Sequence, residues 1–221
     1  MWKNGQMKAR RRVYDAVVED HPGPDPDPTL EPVGHARRAA TGTVGAAGCH
    51  EQAGRSVRTG AETVRRWLEV LSGFYFGFLV RPWFRNVSRS LRKEPKWFLR
   101  DWSGVRGNGA KAETFVACHL LKAVEGWTDL GLGAFQLCYL RDKAGREVDF
   151  VVVRDGAPWF LVEVKNQETT IAPSLSYFQE QIGAPFAFQV VLEADYVEAD
   201  CFARPGTPKV VPAKPFLSQL F

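Results

Sequence analysis

The chain has 221 residues, a net charge of +4 and 45% hydrophobic residues, enough to bury a domain-sized core. Its 12% aromatic content excludes a chain that is disordered throughout. There is no apolar run of membrane-spanning length and no apolar signal core, so a cytoplasmic location and no membrane partner are expected.

Residues 1–58 do not supply that core. The stretch from His21 to Gly34 is proline-dense, and Gly34 to Gly60 is Ala, Gly, Arg and Thr without an apolar period. Such a segment buries too little to offset its ordering entropy. It is expected to be disordered or aberrant, an out-of-frame translation or a fusion scar.

Residues 59–105 read as a partial winged-helix unit and basic linker. Val64, Trp67, Leu68 and Leu71 fall at i, i+3, i+4 and i+7, which predicts a helix over 62–72 with Arg65, Arg66 and Glu69 opposite. Phe74 to Val80 predicts a buried strand interrupted by Gly77, and Lys96 to Leu99 a second strand. In a winged helix Arg65 and Arg66 would face phosphate; a packing helix with a solvated basic face is the plainer and favoured reading. Between Arg81 and Arg100, the cations Arg81, Arg85, Arg89, Arg92, Lys93, Lys96 and Arg100 meet one acid, Glu94. Arg85, Arg89 and Arg92 share a face if the segment is helical, and with Lys93 they form a candidate nucleic-acid-binding patch. An ordinary solvated linker is the bland alternative.

Residues 106–200 carry the chemistry. Gly107-Asn-Gly-Ala-Lys111 reads as a flexible loop, since no P-loop spacing occurs anywhere and no ATP hydrolysis is expected. A helix over Ala112–Val124 places Glu113 at the edge of an apolar stripe. Two apolar strands follow, Glu147–Val153 and Trp159–Lys165, containing Asp149, Glu163 and Lys165. An ionised carboxylate in a buried sheet costs several kcal/mol, about 3–5 when left unpaired, unless it is paired or holds a metal. Glu163 and Lys165 share one face of their strand. An odd loop centred on Gly156 sets Asp149 opposite Glu163; a two-residue Asp155-Gly156 turn sets it opposite Val162 and splits the carboxylates. Pro158 favours the longer loop. Two hard oxygen donors suit magnesium or manganese, and a neighbouring lysine suits an attacking water or developing phosphorane charge. An Glu-x-Lys on a strand is nevertheless common, and spacing alone favours no catalysis.

A helix at Pro173–Ile182, with Gln179 and Gln181 within reach of the same site, and a strand at Phe186–Leu192 complete a mixed α/β sheet flanked by helices. The tail, residues 201–221, reads as a Pro-rich extended strap. Cys49, Cys118, Cys138 and Cys201 form no C-x-x-C pair and no zinc site.

The order of helix acid, strand Asp and strand Glu-x-Lys resembles the PD-(D/E)XK nuclease-like (restriction-endonuclease-like) core. The text Glu62-Thr-Val-Arg-Arg-Trp-Leu-Glu-Val-Leu71, Arg81-Pro-Trp-Phe, Lys93-Glu-Pro-Lys-Trp-Phe98, Ala112-Glu-Thr-Phe-Val-Ala117, Tyr139-Leu-Arg-Asp-Lys-Ala-Gly-Arg-Glu-Val-Asp149 and Val162-Glu-Val-Lys165 recurs in order. Over residues 59–193 it is similar to the C-terminal half of bacterial and archaeal AAA+ ATPases that end in a nuclease-like domain of unknown function. Here the ATPase part is absent, and Ala112 stands where those proteins usually have Phe. The resemblance implies Glu113, Asp149, Glu163 and Lys165 as catalytic residues, with Asp149 and Glu163 as ligands of Mg or Mn.

Three functions are then open. The first is metal-dependent phosphodiester hydrolysis of DNA or RNA. The second is a non-catalytic module that binds nucleic acid, an ATPase or another protein. The third is a remnant without independent function.

Overall fold

The structure is a computed structural model that describes residues 44, 60–83 and 94–221. The chain divides into two compact units, 1–79 with 96–104, and 80–95 with 105–221. Its strands form a mixed seven-stranded sheet flanked by helices, in the order β2 (Lys96–Leu99), β1 (Gly77–Pro82), β3 (Phe135–Arg141), β4 (Glu147–Arg154), β5 (Ala157–Lys165), β6 (Phe186–Val191) and β7 (Lys209–Pro212).

In the first unit, helix α1 (Ala61–Gly73) buries Val64, Leu68 and Leu71, half-buries Trp67, and leaves Arg65, Arg66 and Glu69 exposed, as the spacing predicts. The aromatic run after it behaves differently from expectation. Phe74 and Phe76 still donate their N–H groups to helix carbonyls, and Tyr75 is left-handed with φ 59°, so β1 (Gly77–Pro82) starts only at the glycine. Gly77 does not interrupt the strand. A Cβ there would sit 2.3 Å from the Trp97 ring and 2.5 Å from the Phe98 carbonyl oxygen of β2 (Lys96–Leu99). Of residues 1–58, only Val44 is described, in an isolated bridge to Trp97; the expectation for the rest lies outside the described residues.

In the second unit, helix α2 (Asn108–Asp129) is longer than its predicted core. The glycine-lysine fragment expected as a loop is its first turn, entered through Gly107 at φ 84°. This helix packs on β3 (Phe135–Arg141), β4 (Glu147–Arg154) and β5 (Ala157–Lys165). Helix α3 (Pro173–Ile182) packs on β4, β5 and β6 (Phe186–Val191), burying Leu175 and Phe178 with Val148, Val151, Leu161 and Ala187. Strands β3, β4 and β5 are antiparallel; β1–β3, β5–β6 and β6–β7 are parallel.

The tail is not an extended strap. Lys209–Pro212 forms β7 against β6, and Ala213–Ser218 forms helix α4. The cause is apolar: Phe216 is fully buried against Phe160, Phe188 and Phe202, and Leu220 is buried too. Gln219 ties this end back, accepting from Cys201 N–H at 2.8 Å and donating to the Ala199 carbonyl at 2.6 Å.

Candidate metal and phosphodiester site

Of the two turn geometries posed by the sequence, the structure has the two-residue turn and not the longer loop that Pro158 was expected to favour. Asp155 and Gly156 form a two-residue turn, with φ of 50° and 80°, the double left-handed pattern of a type I′ hairpin. Arg154 accordingly pairs with Ala157 and Val153 with Pro158. The register then shifts by one at Trp159, and Val152 pairs with Phe160, Val151 with Leu161 and Phe150 with Val162. The paired ladder ends there, one step short of Asp149 and Glu163, whose carboxylates are close enough for the charge of one to act on the other. The bulge undoes the offset of the short turn as far as Phe150 and Val162.

A second bulge lies on the other side of β4. Cys138 pairs with Val151 but Leu140 with Val148, leaving Tyr139 opposite both Asp149 and Phe150. Bulges re-aim side chains, and the Asp149 carboxylate reaches β5, accepting the Val164 N–H at 2.9 Å.

Leu161 and Ala187 lie in the cluster under α3, so alternation puts Glu163 and Lys165 on that side of β5. Lys165 Nζ donates to Glu163 Oε1 at 2.8 Å, with the glutamate side chain only 9% exposed. The other oxygen, Glu163 Oε2, is buried and has no hydrogen-bond partner among the described residues. Burial, and then the charge of Asp149, hold the Glu163 carboxyl above the usual glutamate range despite Lys165. Burial alone would lower the Lys165 ammonium. The hydrogen bond and charge of Glu163, joined by Asp149 and Glu168, overcome that and hold it above its ordinary value.

Glu113 is half-buried on α2, and the described residues contain no group of three or more His, Cys, Asp or Glu side chains able to hold a metal ion. The convergent pair is therefore Asp149 and Glu163, with Lys165 beside them. Gln179 is directed elsewhere, donating to the carbonyls of Ala184 and Gly206.

Gln189 is the residue that sequence reasoning passed over. It is fully buried, pairs in register with Glu163, and lies on the same side of the sheet. Its Nε2 donates to the Glu168 and Thr170 carbonyls at 2.8 and 2.9 Å, and its Oε1 accepts the Ala172 N–H at 2.9 Å. It thus fixes the strap between Lys165 and α3. The signal was present: a lone amide in the apolar strand Phe-Ala-Phe-Gln-Val-Val.

The basic candidates are distributed differently. Arg65 is clasped by Glu62 at 2.6 Å and Glu69 at 2.8 Å on its own helix, and Arg66 lies 3.6 Å from Glu62. Arg85, Arg89, Arg92 and Lys93 lie outside the described residues. Both ends of that segment meet Tyr139, whose carbonyl accepts the Trp83 N–H at 2.8 Å and whose hydroxyl donates to the Glu94 carbonyl at 2.7 Å.

Residues 108–202 match a domain of unknown function, DUF4143. No curated protein and no solved structure matches the chain. Among the described residues, no helix is long and apolar enough to cross a membrane.

Proposed function

We propose that residues 105–221 form a nuclease-like domain that binds a divalent cation through Asp149 and Glu163 and hydrolyses phosphodiesters of DNA or RNA. The observation that carries this reading is Glu163 Oε2, a buried carboxylate oxygen without a donor, beside the second carboxylate of Asp149. Two adjacent carboxylates repel each other, and a hard cation is the partner that both would favour. Magnesium or manganese fits the all-oxygen donor set.

Bound there, the cation would polarise a phosphoryl oxygen as a Lewis acid. The chain's own groups have separate tasks. The Val164 N–H orients Asp149, and Lys165 orients Glu163 through Oε1, leaving Oε2 for the cation. The raised pKa of Lys165 keeps it protonated at neutral pH, so it acts as a hydrogen-bond donor and positive charge toward the phosphate, not as a base. The restriction-endonuclease-like classification, the partial winged-helix assignment of residues 59–105, a cytoplasmic location and an AAA+ ATPase association belong to this same proposal.

A second reading has its own support. Asp149 and Lys165 each already hold a structural partner, which suits a non-catalytic module that binds nucleic acid or an ATPase. Manganese calorimetry on wild type and Asp149→Asn separates the two. Wild-type binding that vanishes in the variant supports the hydrolytic site. No binding by folded wild type removes it.

A further inference from the structure

Arg146 closes the turn between β3 and β4. Its main-chain N–H donates to Asp142 Oδ1 at 3.0 Å, and its Nε donates to Asp142 Oδ2 at 2.6 Å. Its guanidinium also lies over the Tyr177 ring of α3, 3.6 Å from the ring centroid. Tyr177 is half-buried against the cluster that contains Val148 and Val151. The group is therefore fixed along one edge and across one face.

Its outer edge is open. The side chain is 46% exposed, and Nη1 and Nη2 have no partner among the described residues. A guanidinium held in this way presents a planar fork of N–H donors, the geometry that matches two oxygens of a phosphate. Much of the ordering entropy that a long side chain loses on binding is already lost in the fold. The position is also suitable. Arg146 precedes Asp149 by three residues, so their Cα atoms lie within about 10 Å at the rise of a strand.

Arg154, at the far end of β4, is the internal contrast. Its Nη2 donates to the Leu132 carbonyl at 3.2 Å, its Nε lies 3.6 Å from Asp155, and it rests on the rings of Phe135 and Trp159. Its fork is engaged in holding the turn.

We infer that Arg146 binds a backbone phosphate of a nucleic-acid strand, next to the phosphodiester presented to Asp149 and Glu163. The inference rests on the phosphodiester reading above and gives that site its substrate-holding residue. Asp142 and Tyr177 are the positioning residues for the fork.

The test is fluorescence anisotropy with a short single-stranded oligodeoxythymidylate in EDTA, at low and high salt, with melting curves on the same preparations. Arg146→Lys and Arg146→Gln are expected to weaken binding about tenfold, the lysine failing because it lacks the planar fork. Arg146→Gln should also reduce the slope of log affinity against log salt by about 1. Arg154→Gln should leave both quantities as in wild type. Wild-type affinity in Arg146→Lys overturns the inference, whether or not its melting point falls, because a turn clamp predicts lost stability with binding intact. An equal loss in Arg154→Gln, or no binding by wild type, overturns it too. Because EDTA excludes a divalent cation, failure here is separate from failure of manganese binding in the calorimetric experiment.

Discussion

A carboxylate oxygen of Asp149 stands where a main-chain carbonyl of β4 would otherwise accept the Val164 N–H, at 2.9 Å. The aspartate therefore has a structural duty and a proposed chemical one, and the two separate by substitution. Asp149→Asn retains an acceptor oxygen and should change stability little while abolishing manganese binding. Asp149→Ala also leaves the Val164 amide without its partner and should cost about 1–3 kcal/mol. Urea unfolding and calorimetry on both variants check this; equal stability of the two would remove the structural duty.

The Glu163 carboxyl sets a pH dependence. Its folded pKa is raised above the ordinary 4.5, first by burial and then by Asp149. The folded state thus keeps a proton that the unfolded chain has released. Its contribution to stability is present below 4.5 and is lost as pH rises through the raised folded value. Melting temperature should fall across that window in wild type and change less in Glu163→Gln. Manganese affinity should rise over the same window, since the cation and the proton compete for one carboxylate. A wild-type melting profile no steeper than that of Glu163→Gln contradicts the assignment.

Lys165→Met tests the ion pair. The lysine side chain is 32% exposed and Glu163 is 9% exposed, between a surface pair and a fully buried one. A loss of about 1–3 kcal/mol is expected, less than for complete burial. Under the hydrolytic reading, phosphodiester cleavage should also be lost while manganese binding persists. Denaturant titration, calorimetry and a plasmid-nicking assay measure the three effects.

Gln189→Leu removes an amide that satisfies two carbonyls and one N–H of the strap. We expect a loss of about 1–3 kcal/mol, because those main-chain groups keep their desolvation cost without their partner. Amide exchange at Ala172 should accelerate more than at Val190, which belongs to the β6 ladder. Uniform acceleration at both positions would point to global destabilisation instead of a loosened strap.

Much of the second unit was legible because its signals are local. The run around Asp149 and Glu163 reads as two strands from β-branched and aromatic residues, and Pro173 with the left-handed Gly183 brackets α3. Register was the hard part. A bulge at Trp159 depends on how that ring packs against Trp127, Phe135 and Phe202, contacts distant in sequence. The strand at 209–212 was missed for a similar reason. Its prolines suggest an extended tail, and only the burial of Val211 and Phe216 against the sheet makes it an edge strand. Gln189 was overlooked because apolar runs draw attention to their matching residues, whereas the informative one is the exception.

The parallel pairing of β7 to β6 has a consequence for synthesis. Until residues 209–212 have left the ribosome, β6 offers an open edge whose residues 187–191 are all buried in the finished fold. An apolar strand with unsatisfied N–H and carbonyl groups is a template for pairing with another chain. Residues 209–212 therefore act as the seal on the nascent domain, and a chain that stalls before Lys209 should aggregate even though Asp149, Glu163 and Lys165 have already been made.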